Sequence, residues 1–263
     1  MAKLRILCPE AIAGLIGLSF GILFVGICEI NRPSLPVVVI ENRYERAQRQ
    51  TVLIKSDSGQ GSGVVVIRGN RVFCWTAAHV VADVSKVEVK RFLRTEGHRA
   101  GEIIFQARVV YRNEERDFSL LLVNAPANDF LVGAEFDDVL YPPVGTAVIH
   151  CGNWLGADFD GSVSEGIVSQ IGVQPEIENW PWKITDQISA TVVLGSSGGP
   201  IFRKDNGKCA GIVVGGMGQG ALGFASYVPT RIIASEEVIR WAVFGTWCPP
   251  DDLLEKMIVL AEP

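Results

Sequence analysis

A serine lies inside the segment Gly195-Ser196-Ser197-Gly198-Gly199-Pro200, between the apolar runs 188–194 and 209–214. Small residues and a proline between two β-rich runs predict a tight, exposed turn. Glycine opens backbone angles closed to other residues, so Ser197 can stand clear of a sheet. Backbone N–H groups in such a turn can converge on one hollow and hold an oxyanion beside the hydroxyl. A Gly/Ser surface loop would have the same composition, so the rest of the chain has to decide. A serine hydroxyl is a weak nucleophile until a base takes its proton. The base in turn needs a partner that fixes its tautomer and stabilises its cation. His79 follows the apolar run 71–76 and two alanines, and Asp117 opens the apolar run 118–123. A carboxylate at the mouth of an apolar strand is costly to bury without a hydrogen-bond donor, and an imidazole N–H is such a donor. Taken singly, His79 reads as a core histidine and Asp117 as a solvated strand-start aspartate. With Ser197 they supply base, orienting group and nucleophile.

The order of these residues discriminates further. Gly195-x-Ser197-x-Gly199 also satisfies the G-x-S-x-G pattern of α/β-hydrolases, but there the histidine follows the serine. The three histidines of this chain, His79, His98 and His150, all precede Ser197, which excludes that fold. His98 lies in the polar stretch 95–99 and reads as solvated. His150, beside Cys151 in an apolar run, reads as structural.

The elements that must position these residues are short. Residues 50–55 read as a first strand and 61–67 as a second, entered through Gly61-Ser62-Gly63. Gly69-Asn70 reads as a hairpin turn into the return strand 71–76, which runs straight to His79. Residues 84–92 and 107–111 read as strands, and the polar run 112–116 leads to Asp117. Residues 125–140 connect two lobes. Residues 143–146 form a turn before the strand 147–151, residues 152–156 a loop, and 162–171 another strand. Asn179-Trp180-Pro181-Trp182 is an aromatic loop, 220–228 a late strand, and 230–243 a helix. The expected organisation is a membrane anchor or uncleaved signal at 1–30, a linker at 31–49 that holds a short strand and then a turn or helix, a globular part at 50–247 and a tail at 248–263. The two lobes are expected at 50–128 and 140–232.

The chain has 263 residues, 48% of them hydrophobic, which is core enough for one bilobed domain or two small ones. A net charge of −5, with the signs mixed, gives no indication of a nucleic-acid binder. Short apolar runs ending in Gly, Asn, Asp or Pro read as mostly β. None of the six cysteines forms a C-x-x-C pair, which argues against zinc. Cys74, Cys151 and Cys209 read as small buried thiols, with disulfides open to the cysteines outside the leader in an oxidising compartment. Residues 11–28 are uncharged and follow Lys3 and Arg5. A membrane helix needs ~17–25 apolar residues and a signal-peptide core ~7–15, so length favours a retained anchor. Arg32, Arg43, Arg46 and Arg49 lie beyond it, so the charge rule does not orient it.

Thr76-Ala77-Ala78-His79, Asp117-Phe118-Ser119-Leu120-Leu121 and Gly195-Ser196-Ser197-Gly198-Gly199-Pro200 resemble the three catalytic segments of trypsin-like serine proteases. Gly61-Ser62-Gly63, Gly152-Asn153-Trp154-Leu155-Gly156 followed by Ser162–Ser169, and Gly223-Phe224-Ala225 before Pro229 are similar to segments of the HtrA/Deg branch. The resemblance implies an all-β fold of two six-stranded Greek-key β-barrels with the active site between them, plus a C-terminal helix and an N-terminal membrane helix. It implies His79 as general base, Asp117 as its orienter and Ser197 as nucleophile, with the backbone N–H groups of Gly195 and Ser197 as the oxyanion hole. Val213, Val214 and Gly215 would pair with the substrate backbone. Thr191 and Val192 would line the pocket for the side chain before the cut bond, and the absence of an acidic residue there implies small or medium apolar side chains. No metal or organic cofactor is required.

The sequence also departs from the family pattern. Ser196 stands where secreted relatives have Asp and HtrA proteins have Asn, and Val80 replaces a cysteine common after the histidine. No Ile-Val-Gly-Gly start is visible, and too few residues follow the second lobe for a PDZ domain. The expected function is a serine endopeptidase acting through an acyl-enzyme on proteins or peptides. It would be held to a membrane by the N-terminal helix, with the protease domain on the periplasmic or extracytoplasmic side. The alternative is a catalytically inactive protease fold used as a binding or scaffold protein at the membrane, including one in which the anchor and the Trp180-Pro181-Trp182 loop carry the interaction.

Overall fold

The computed structural model describes residues 42–57, 59–95, 98–114, 117–130, 132–137, 142–173, 185–217 and 224–229. The apolar leader 11–28, the loop containing Trp180-Pro181-Trp182, and the expected helix and tail from 230 onward lie outside the described residues. Among the described residues no helix is long and apolar enough to cross a membrane.

Val64-Val65-Val66-Ile67 and Val72-Phe73-Cys74-Trp75 are apolar at every position, where a half-exposed strand would alternate. Both faces of these strands are covered. Val65, Val72 and Cys74 pack inside a barrel, with Val52, Val89, Phe105 and Leu121. Val64, Val66, Phe73 and Trp75 pack outward with Phe118, Ile149, Cys151, Phe202 and Ile212, in a layer shared with a second barrel. A third cluster, Val148, Val168, Ile188, Ile201 and Val213, fills the second barrel. Each fully buried side chain of this size contributes roughly 1.5–3 kcal/mol, so the shared layer is a substantial part of what holds the barrels together.

The first barrel holds β1 (Thr51–Ser56), β2 (Gly59–Arg68), β3 (Arg71–Thr76), β4 (Lys86–Thr95), β5 (His98–Asn113) and β6 (Phe118–Val123). Its order is β1-β2-β3-β6-β5-β4, closed by β1 against β4. The second holds β7 (Ala147–Trp154), β8 (Phe159–Val173), β9 (Thr185–Ile188), β10 (Pro200–Arg203), β11 (Cys209–Met217) and β12 (Phe224–Pro229). Its order is β10-β11-β12-β9-β8-β7, closed by β10 against β7. Both barrels share one topology: two antiparallel three-strand meanders, zipped along their third strands and closed along their first. Closure gives every strand a partner on both sides along at least part of its length.

Ahead of β1 lies the helix α1 (Arg43–Gln50), capped by the Asn42 side chain, which accepts from the Tyr44 N–H at 3.1 Å. Two strand expectations change. The β4–β5 hairpin is longer than the runs 84–92 and 107–111 indicate, and His98 pairs with Thr95 at its tip. The β5 side of the tip, residues 98–102, is polar and mostly exposed, so it carries no apolar period. The run 188–194 is not a buried strand: β9 ends at Ile188, and Leu194 is 81% exposed. The chain must turn there to present the serine loop.

Candidate active site

β3 leaves the first barrel at Thr76, and a single 3₁₀ turn, Ala78–Val81, carries His79. Ala77, Ala78, Val80 and Val81 are buried, whereas the His79 side chain is 49% exposed. The alanines let the turn pack closely on the barrel rim, so the imidazole is the one side chain of the turn facing outward. Asp117 precedes β6 with φ +52°, a left-handed conformation that aspartate tolerates better than most residues. This twist turns its carboxylate under the histidine. Oδ1 accepts from the His79 backbone N–H at 2.8 Å, and Oδ2 lies 2.7 Å from Nδ1. A carboxylate only accepts here, so Nδ1 carries the proton and the Nε2 lone pair is the one presented to solvent.

The serine loop sits against the same rim. The Ser62 N–H donates to the Ser197 carbonyl at 2.7 Å. A methyl on Gly61 would lie 2.5 Å from Val80 Cγ2 and 2.8 Å from the Ser197 carbonyl. The histidine turn and the serine loop thus press on one glycine from two sides. Gly198, at φ +82°, brings its backbone so close that a Cβ would meet the Ser62 carbonyl at 2.2 Å and Thr76 Oγ1 at 2.4 Å. Among the described residues Ser197 Oγ makes no hydrogen bond to the His79 ring. Such contacts commonly tighten only when substrate is bound.

Most amides of the loop are committed. Ser196 N–H donates to the Val193 carbonyl at 2.9 Å, Gly198 N–H to Val213 at 2.6 Å and Gly199 N–H to Ser196 at 2.8 Å. Those of Gly195 and Ser197 have no partner among the described residues. The Leu194 carbonyl accepts from the Leu155 N–H at 2.7 Å. Carbonyl and N–H point opposite ways across a trans peptide, so the Gly195 N–H is aimed away from Leu155. Ser196, the position where the family resemblance leads one to expect Asp or Asn, is fully buried, and its Oγ accepts from the Val193 N–H at 3.2 Å, closing the turn on itself.

Thr191 and Val192 are half-buried beside the loop, and the Thr191 carbonyl accepts from Ser164 Oγ at 2.8 Å. Of the strand residues, Val213 has both backbone groups engaged by the serine loop, its N–H donating to Gly199 at 2.9 Å. β10 pairs with β11 only as far as Ile212, which leaves Val214 and Gly215 with no strand on that edge among the described residues. Among the described residues no cluster of His, Cys, Asp or Glu is arranged to hold a metal ion.

Three supporting residues carry no motif that sequence alone would single out for this role. Ser62 Oγ donates to the Gly195 carbonyl at 2.7 Å and accepts from the Asn153 N–H at 2.8 Å. Asn153 donates through Nδ2 to the Val52 carbonyl at 2.8 Å and accepts at Oδ1 from the Gly161 N–H at 3.2 Å. The pair ties both barrels to the serine loop; the surrounding Gly61-Ser62-Gly63 and Gly152-Asn153 segments are their only signal. His150 is fully buried beneath the loop. A Cβ on Gly152 would lie 2.9 Å from its Nε2, and one on Gly199 would lie 2.9 Å from its Cε1. Nδ1 donates to the Pro200 carbonyl at 3.1 Å, and Nε2 has no partner among the described residues. Burial pushes the imidazole pKa down to about 4, against a smaller opposing pull from the Pro200 carbonyl.

Two six-stranded barrels of one topology, with a histidine–aspartate pair on the first and a glycine-framed serine on the second, define a double-barrel class shared with trypsin. The sequence signature of the trypsin-like peptidase domain matches residues 61–212, more than half of the chain, and the chain belongs to that family. It is 31% identical over 192 residues to a probable periplasmic serine endoprotease, DegP-like, of Brucella suis, across 72% of this chain and 34% of that protein. It is 30% identical over 166 residues to an HtrA-like serine protease of Staphylococcus epidermidis, across 60% of this chain and 27% of that one. The chain thus spans about a third of the length of the curated relatives it matches. The fold matches the MamO protease domain of Magnetospirillum magneticum with a TM-score of 0.58 at 22% identity, over 73% of this chain and 97% of that domain.

Proposed function

We propose that the chain is a serine endopeptidase that cuts peptide bonds through an acyl-enzyme. Ser197 Oγ attacks the carbonyl carbon while His79 Nε2 takes its proton. The tetrahedral oxyanion is held by the N–H groups of Gly195 and Ser197. His79 then gives the proton to the leaving amine, and water repeats the sequence to release the acid. Asp117 keeps the imidazole in the required tautomer and stabilises its cation. The observation that carries this reading is the pair of free amides at Gly195 and Ser197 in a loop whose other amides are satisfied. Donors of this kind are worth about 10²–10³ in kcat each. The uncharged wall 188–194 that holds Thr191 and Val192 favours a small or medium apolar side chain before the cut bond, with the substrate strand added along Val214 and Gly215. The uncharged leader and the periplasmic naming of the Brucella suis relative support a membrane-tethered enzyme with its barrels on the extracytoplasmic side.

The test is mass spectrometry of the full chain after treatment with a fluorophosphonate probe, with Ser197→Ala as control, alongside peptide cleavage. A single adduct on Ser197 and cleavage lost in the variant are expected. A folded chain that takes no adduct and cuts no peptide would overturn the reading in favour of a binding role.

A further inference from the structure

The free amide of Gly195 depends on a peptide plane that nothing in its own residue fixes. Gly195 sits at φ +93°, and glycine tolerates either sense of rotation about that peptide. Turned over, the Leu194–Gly195 peptide would put a carbonyl oxygen where the oxyanion forms. What opposes this is the Leu155 N–H, which holds the Leu194 carbonyl at 2.7 Å. Leu155 lies in the tight turn between Trp154 and Phe159 and is itself left-handed, at φ +54°, an uncommon state for leucine that its surroundings must impose.

Those surroundings come from the other barrel. Arg94, near the tip of the β4–β5 hairpin, donates to the Asp160 carbonyl at 2.7 Å and pairs with its carboxylate. Side chains in this pair are only 14% and 8% exposed. Arg99, across the hairpin, donates to the Ala157 carbonyl at 3.0 Å and stacks 4.4 Å over the Phe92 ring. Gln48 of α1 donates to the Gly161 carbonyl at 2.8 Å. The long hairpin thus holds the turn that carries Leu155 at Ala157 and, just beyond it, at Asp160.

We propose that Arg94 and Asp160 are positioning residues: the pair clamps the Trp154–Gly161 turn so that Leu155 keeps the Leu194 carbonyl out of the oxyanion hollow. This rests on the endopeptidase reading above. Removing Arg94 leaves the buried Asp160 carboxylate with only the longer Arg99 contact at 3.5 Å, so the turn loses its close charged partner and its hold on the Asp160 carbonyl. Loss of geometry of about 1 Å at a reacting centre is enough for a 10²-fold effect on rate.

The experiment measures kcat and KM of the full chain on a chromogenic peptide, and the affinity for a peptide aldehyde of the same sequence. The aldehyde carbon adds Ser197 Oγ and places its oxygen in the hollow, so its affinity reports the hole directly. Arg94→Ala should lower kcat about 10–100-fold with KM changed less than about threefold, and aldehyde affinity should fall by the same factor. Arg94→Lys should recover part of the loss. Arg94→Ala combined with Asp160→Asn should be no worse than Arg94→Ala alone. If Arg94→Ala does not fold, Arg99→Gln, at a more exposed position, should show the same kcat-selective loss at about 3–10-fold. Folded variants with unchanged kcat and aldehyde affinity, in an active parent, would overturn the clamp and leave the endopeptidase reading intact. A parent that neither cuts nor takes the fluorophosphonate would overturn both.

Discussion

Lowering the pH from about 7 to about 5 should weaken the folded chain by about 2 kcal/mol through His150 alone. An unfolded histidine titrates near 6.5, whereas burial holds His150 down to about 4. Below pH 6.5 the unfolded chain therefore binds a proton that the folded chain refuses, and stability is lost as pH falls toward 4. At pH 5 the unfolded ring is almost wholly charged and the folded ring almost wholly neutral. The resulting ratio of binding polynomials, about thirtyfold, corresponds to about 2 kcal/mol. The geometry agrees with the sign: Nδ1 is already engaged by the Pro200 carbonyl, and a proton on Nε2 would be a buried donor without an acceptor among the described residues. Urea unfolding, followed by tryptophan fluorescence at both pH values, measures the effect. His150→Gln is the reference, because it keeps a donor for Pro200 and does not titrate. All other titrating groups are common to both chains, so the difference between their pH-induced losses isolates this ring. Equal losses in the two chains would refute the reasoning and mean that the folded site accommodates the charged ring.

Asp117→Asn should leave the loop geometry intact yet cost about 10⁴ in kcat by putting the imidazole in the wrong tautomer; a loss below about tenfold in steady-state kinetics would show that another group orients His79. Ser62→Ala strips a buried partner from the Gly195 carbonyl and the Asn153 N–H, and should cost roughly 1–3 kcal/mol in urea unfolding. An unchanged midpoint would mean that these groups find other partners. Burial pushes the Cys151 and Cys209 thiols up to about 12 and Cys74 higher still, so none of the three should react with iodoacetamide at mildly alkaline pH until denaturant is added. Peptide mapping that finds any of them alkylated in the folded chain would contradict their burial.

The three candidate residues stand out in the sequence because each lies at an abrupt change of character: two alanines before His79, a polar run before Asp117, glycines around Ser197. The barrel strands were legible for a related reason, since strands buried on both faces read as unbroken apolar runs. What escaped was held by polar contacts. The β5 side of the β4–β5 hairpin tip is polar and mostly exposed, and the tip is held by cross-strand pairing and by Arg94 and Arg99, so no hydrophobic period marks it. Ser62 and Asn153 act through hydrogen bonds to each other and to distant backbone, a role that leaves no spacing in the sequence. The run 188–194 reads as strand to its end because an exposed apolar residue such as Leu194 looks the same in sequence as one in a core.

The placement of α1 has a consequence for how the chain reaches its final state. Arg43 donates to the Lys204 carbonyl, Tyr44 to the Glu165 carboxylate and Gln48 to the Gly161 carbonyl, all in the second barrel, yet α1 runs directly into the first strand of the first. The whole first barrel is therefore a loop whose ends are fastened by partners more than a hundred residues later. An eight-residue helix is not stable by itself in water. On a ribosome it emerges before the strands of the second barrel that receive it, and its contacts with them can form only once they are made. Closing so long a loop is entropically slow. These contacts need strands made later, so a nascent chain stalled before Phe159 would hold every strand of the first barrel with α1 not yet fastened to the second.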